Sequence, residues 1–134
     1  MRLKRVHHID FAVRDLDRAI EKYRRFFQVP LETREHLDNR GVELARFRLG
    51  GTWIVLVQPT RPDSPIQQFI DRYGEGFYHI AYEVDNLNDL VIELQAQGAK
   101  LGKDGPRRGL EDWKLVDIDR DEMFGIMTQL VEPS

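Results

Sequence analysis

Histidine exchanges a proton near neutral pH more readily than any other side chain, and it is the commonest protein ligand for metal ions. This chain has four histidines, and two of them sit in matching surroundings. His8-Ile9-Asp10-Phe11-Ala12-Val13-Arg14-Asp15-Leu16-Asp17 and His79-Ile80-Ala81-Tyr82-Glu83-Val84-Asp85-Asn86-Leu87-Asn88 share the pattern His-Ile-x-aromatic-x-Val-x-Asp/Asn-Leu-Asp/Asn at an offset of 71 residues. A second match, Val55-Leu56-Val57-Gln58-Pro59 with Gln129-Leu130-Val131-Glu132-Pro133, has an offset of 74. The chain therefore reads as two copies of one module. Each copy opens on a strand with a histidine. Each closes on a strand whose equivalent positions are Val55 and Gln129. Asp10 lies two residues after His8, hence on the same strand face. A carboxylate there is suited to bind a metal ion itself, to orient an imidazole or to move a proton.

The elements that position these residues follow from periodicity and punctuation. Residues 5–13 alternate and are rich in Val, Ile and Phe, as a strand does. Alternation points His7 away from His8. Asp15 or Asp17 caps a helix whose apolar stripe is Leu16, Ala19, Ile20, Tyr23, Phe26 and Phe27. Residues 32–37 read as an edge strand carrying His36, with a turn over 38–41. Residues 42–49 and 52–58 form a hairpin around Gly50-Gly51. Ser64 and Pro65 start a short helix that Gly74 stops. The second copy repeats the order: a strand over 77–84, a helix capped by Asn86 or Asn88 and closed at Gly98, a short strand at 100–102, a mobile loop at 103–110, and strands over 113–119 and 125–132.

Composition narrows the classes. The absence of cysteine excludes disulfides and thiolate chemistry and fits a cytoplasmic location. A net charge of −3 gives no footprint for nucleic acid or an anionic membrane. No apolar run approaches the roughly 18 residues of a membrane span, and Met1-Arg2-Leu3-Lys4-Arg5 lacks the apolar stretch of a signal peptide. A length of 134 residues suits one domain, 1–134, built from module one (5–59), a linker with a short helix (60–75) and module two (76–133).

Taken together and in order, His8-Ile9 with Asp15-Leu16, Gly41-Val42 to Leu49-Gly50, Asp63-Ser64-Pro65-Ile66, His79-Ile80-Ala81 with Glu83-Val84-Asp85-Asn86, and Leu130-Val131-Glu132-Pro133 resemble the vicinal oxygen chelate superfamily. This is the group of glyoxalases, bleomycin-resistance proteins and extradiol dioxygenases. Asp63–Ile66 brings the chain nearest to methylmalonyl-CoA epimerases. The resemblance implies an α+β fold of two βαβββ modules in pseudo-two-fold arrangement, forming an eight-stranded open cup. It implies a divalent metal (Zn, Ni, Co, Mn or Fe) held by His8, His79 and Gln129. Val55 stands where the family has a fourth ligand and cannot bind a metal. Gln129 stands where it has a glutamate and brings an amide oxygen without charge. Asp10 and Glu43 are the candidate catalytic carboxylates, and Trp53, Val55, Val57 and Met127 the candidate cavity lining.

The function implied is a metal-dependent isomerase, epimerase or lyase of glyoxalase type, acting on a small substrate with adjacent oxygens such as a CoA thioester. The alternatives are a drug-binding protein of bleomycin-resistance type with a degenerate metal site, and an extradiol-type dioxygenase. Exposed strand edges make a homodimer the expected assembly. Restoring carboxylates by Gln129→Glu and Val55→Glu is expected to tighten metal binding.

Overall fold

The computed structural model describes residues 1–134. In chain order the elements are β1 (Arg5–Ala12), α1 (Leu16–Phe27), β2 (Thr33–Leu37), β3 (Val42–Leu49), β4 (Thr52–Pro59), α2 (Pro65–Tyr73), β5 (Gly76–Glu83), α3 (Leu87–Ala96), β6 (Arg107–Arg108), β7 (Lys114–Ile118) and β8 (Thr128–Glu132). The strands form one eight-stranded sheet in the order β2-β3-β4-β1-β5-β8-β7-β6. With β5 equated to β1, each copy has the same internal strand order, as the repeat requires. The fold is α+β, with the expected βαβββ module twice. No helix is long and apolar enough to cross a membrane.

The chain divides into two compact units, Ile9–Tyr78 and Met1–His8 with His79–Ser134. In the first, Asp15 caps α1, its carboxylate accepting from Arg18 N at 3.1 Å. The orphan amide of Leu16 donates to Gln58 Oε1 at 2.6 Å. Val13 N donates to Val57 O at 2.9 Å. Leu16, Ala45 and Leu56 form the core, with Phe11, Val13, Ala19, Ile20 and Tyr23 packed on it. Ala45 and Leu56 are register partners in the β3–β4 hairpin, so their faces of the two strands meet α1. Arg46 and Val55, also register partners, therefore face the other way. The helical stripe is shorter than expected. Phe26 and Phe27 are 59% and 67% exposed because the apolar period runs a turn past the core that buries it.

The second unit repeats the devices residue for residue. Asn86 accepts from Asp89 N at 3.1 Å. Leu87 N donates to Glu132 Oε1 at 2.9 Å, and Val84 N to Val131 O at 2.9 Å. Val84, Leu87, Leu90, Val91, Val116 and Leu130 form its core. The expected strand at 100–102 is a single bridge, Leu101 to Ile118. The expected loop at 103–110 contains β6, whose Arg107 pairs with Leu115 of β7. Glycine-rich composition hid a strand of two residues. The last strand starts at Thr128, later than expected, because residues 120–123 wind into a 3₁₀ turn capped by Asp119.

Candidate functional site

The two repeat histidines meet. His8 Nε2 lies 3.1 Å from His79 Nε2, on β1 and β5. Two imidazoles bound to one ion at bonds of about 2.1 Å have their nitrogens roughly 3.0 to 3.4 Å apart, so the spacing fits a shared ion. It equally fits one N–H donating to the other ring's lone pair. His8 is buried and stacks on Trp113, ring centroids 5.6 Å apart and planes 21° from parallel.

His7 reaches His8 although strand alternation puts the two on opposite faces. It is buried, stands edge-on to Trp113 at 4.5 Å, and its Nδ1 lies 2.9 Å from His8 Nδ1. Nδ1 is the ring nitrogen nearer the backbone, so neighbours on opposite strand faces still meet there. One proton must lie between the two Nδ1 atoms. When His8 offers the lone pair of Nε2 to an ion, its proton sits on Nδ1 and His7 accepts it. His7 then does for His8 what a carboxylate or carbonyl does for other metal-bound histidines. Neither His7 nor Trp113 carries a sequence signal for this role, since neither falls in the repeat.

Gln129 shares the histidines' unit. β5 and β8 run parallel with Ala81 opposite Gln129. Gln129 therefore takes the sheet face of Ala81 and His79, while Tyr82 and Leu130 turn to the core with α3. Its Nε2 donates to Asp117 Oδ1 at 3.1 Å. Its Oε1 is buried with no hydrogen-bond partner. A buried oxygen of that kind costs about 1 to 3 kcal/mol, which a cation would offset. Asp117 Oδ2 accepts from Arg107 Nη1 at 2.9 Å. Asp10 follows His8 on one face of β1, and the ligand atoms of the two residues lie within 4.8 Å of each other. Two imidazole nitrogens this close, with a carboxylate beside His8, suit a divalent ion of the zinc, nickel or cobalt type.

Glu43 shares the β3 face of Ala45, toward α1. Its carboxylate takes Arg34 at 2.5 Å, and Asp17 holds the same guanidinium at 2.6 Å. Hydrogen bonds from Glu43 first and Asp17 second push the Arg34 pKa up. Trp53, Val55 and Val57 share the β4 face opposite α1 and are buried. That face is not purely apolar: Arg46 and Arg48 lie 4.2 and 4.4 Å from the Trp53 ring centroid. Arg46 is also held by Thr33 at 3.0 Å and Glu35 at 3.3 Å. Met127 is half-buried just before β8, its carbonyl accepting from Ile80 N at 3.1 Å. His36 bonds to Asp38 at 2.6 Å on the surface.

Comparison with known proteins supports the fold. The chain is 28% identical over 131 residues to the uncharacterized protein YqjC of Bacillus subtilis, covering 98% of this chain and 94% of that protein. It is 27% identical to human mitochondrial methylmalonyl-CoA epimerase, over 96% of this chain and 73% of that one. Among solved structures, a methylmalonyl-CoA epimerase in complex with methylmalonyl-CoA and an ammonium ion superposes with a TM-score of 0.91 at 28% identity, covering 98% of this chain and 96% of that chain. The Mycobacterium tuberculosis methylmalonyl-CoA epimerase does so with 0.91 at 30% identity, covering 98% and 89%. Residues 7–116 match one family model, a span that runs from the first histidine strand through most of the second copy, so the chain belongs to the glyoxalase/bleomycin resistance protein/dioxygenase superfamily.

Proposed function

We propose that the chain is an isomerase that epimerises a small acyl-CoA thioester at the carbon between its two carbonyl groups, at a site built from His8, His79, Gln129 and Asp10. The observation that carries this reading is the 3.1 Å approach of the His8 and His79 Nε2 atoms. The epimerases among the relatives supply the substrate class: they act on methylmalonyl-CoA and, in one case, ethylmalonyl-CoA as well.

Each residue has a role. His8 and His79 offer Nε2, and Gln129 offers Oε1, as the donors for a divalent ion. Such an ion, when bound, stabilises negative charge on a thioester oxygen as a Lewis acid. Asp10, beside His8, is the carboxylate that takes the proton from the carbon, and a proton returned from solvent to the opposite face completes the inversion. Glu43 is not assigned a part, because Arg34 holds its carboxylate on the helix side of β3.

The test is wash-in of deuterium. Protein loaded with cobalt or nickel, incubated with methylmalonyl-CoA in heavy water, is expected to exchange the α-hydrogen. Asp10→Asn should lower the exchange rate by about 10²- to 10⁴-fold while metal content stays the same. No exchange above a protein-free control, with every metal tried, sinks the isomerase reading. Val55, which brings no donor to its position, gives the second reading its support: a protein that binds the thioester without turning it over. Saturable binding of methylmalonyl-CoA with no wash-in would favour that reading.

A further inference from the structure

The amide of Gln129 has two ends that differ in chemistry, and only one can meet a cation. Its nitrogen faces Asp117 Oδ1 at 3.1 Å. Turned over, the amide would set its oxygen against that carboxylate, acceptor against acceptor. Asp117 therefore decides the orientation. Asp117 is itself fixed from two sides. Arg107 donates to its other oxygen at 2.9 Å, and Gly102 N donates to its backbone carbonyl at 2.7 Å. Gly102 packs so closely that a Cβ there would come within 3.0 Å of the Asp117 Cβ. Asp117 and Gln129 are register partners on β7 and β8, so the contact is part of the sheet. The consequence is the buried, partnerless Gln129 Oε1, on the sheet face that carries His79.

We propose that Asp117, braced by Arg107, is a positioning residue that turns Gln129 Oε1 toward the histidines, and that it carries on β7 the negative charge that a glutamate at position 129 would otherwise bring on β8. The inference rests on the reading of Gln129 as a metal donor and adds the residue that makes it one. It reverses the sequence-based expectation for Gln129→Glu. A glutamate at 129 would set its carboxylate against that of Asp117, where a hydrogen bond now runs. Two carboxylates that close cannot both ionise freely. The new side chain would share a proton with Asp117 or turn away from it, and in both cases serve the ion worse than the amide does.

The experiment is calorimetry with nickel ion on the full chain, comparing native protein with Asp117→Ala, Gln129→Glu and the exchanged pair Asp117→Asn/Gln129→Glu. His8→Ala serves as the control for the site, and circular dichroism as the control for folding. Loss of the orienting residue in Asp117→Ala should weaken binding about tenfold or more. Gln129→Glu alone should bind no more tightly than native. The exchanged pair, in which an asparagine amide donates to the new carboxylate, should bind at least as tightly as native. A second readout needs no metal. The Gln129 side-chain amide protons should be slow to exchange in native protein and fast in Asp117→Ala. Tighter binding by Gln129→Glu alone than by the exchanged pair would overturn the proposal, as would native affinity in folded Asp117→Ala. Failure of the metal reading looks different: His8→Ala then binds nickel as native does, while the amide protons still report whether Asp117 holds Gln129.

Discussion

His7 shows how a residue outside a motif can set what the motif does. His8 has two ring nitrogens, and its 2.9 Å contact with His7 Nδ1 gives an acceptor to a proton on His8 Nδ1 when Nε2 offers its lone pair. Replacing His7 with leucine removes the acceptor and should weaken cobalt or nickel binding by about 10- to 100-fold. Replacing it with asparagine keeps an oxygen near the Nδ1 position and should retain most of the affinity. Equal affinities for the two variants, measured by calorimetry, would count against a tautomer role. Protons compete with the ion for both imidazoles, so affinity should fall as pH is lowered. The sequence singled out positions 8, 79 and 129 because they fall in the repeat at fixed offsets. It left Trp113, Asp117 and Arg107 unread because their roles come from strand register, which no spacing in the chain reveals. Glu43 was legible as a carboxylate on β3 but not by face, since a shift of one residue reverses a strand's sides.

The helices and strands were the readable level, and for identifiable reasons. Asp15 and Asn86 cap α1 and α3 at equivalent positions, and Asn86→Ala should cost about 1 kcal/mol in chemical denaturation. Less visible was the partner of each helix's first amide. Gln58 and Glu132, which stand before the proline that closes each copy, accept from Leu16 and Leu87. Gln58→Leu would bury the Leu16 amide without an acceptor and should destabilise by about 1 to 3 kcal/mol. A change within about 0.3 kcal/mol would mean the amide finds another partner at no cost, since surface substitutions of no structural consequence lie near that size. The exposed Phe26 and Phe27 mark the limit of such reading. Periodicity tells which side of a helix is apolar, not how far along it the core extends. β6 was missed for a related reason: two paired residues in a stretch rich in glycine leave no period to detect.

At the scale of the whole chain, duplication is what sets two ordinary histidines side by side. A single module has one histidine strand and one closing strand. Two modules bring two imidazoles together, and each closing strand has diverged. One copy ends in Val55, which offers no donor, and the other in Gln129, whose amide is oriented by a carboxylate on the next strand. The superfamily was readable from the order of motifs. The ligand chemistry was not, because it depends on the pairing of β7 with β8. The reading proposed above has His8 and His79 bind one ion between them. Nickel titration of native protein, His8→Ala and His79→Ala by calorimetry is its test. Native protein should take up one ion per chain, and each variant should lose at least about 100-fold in affinity, since removing a ligand costs no less than disturbing the residue that orients it. Native affinity in either variant, with the fold retained, would contradict it.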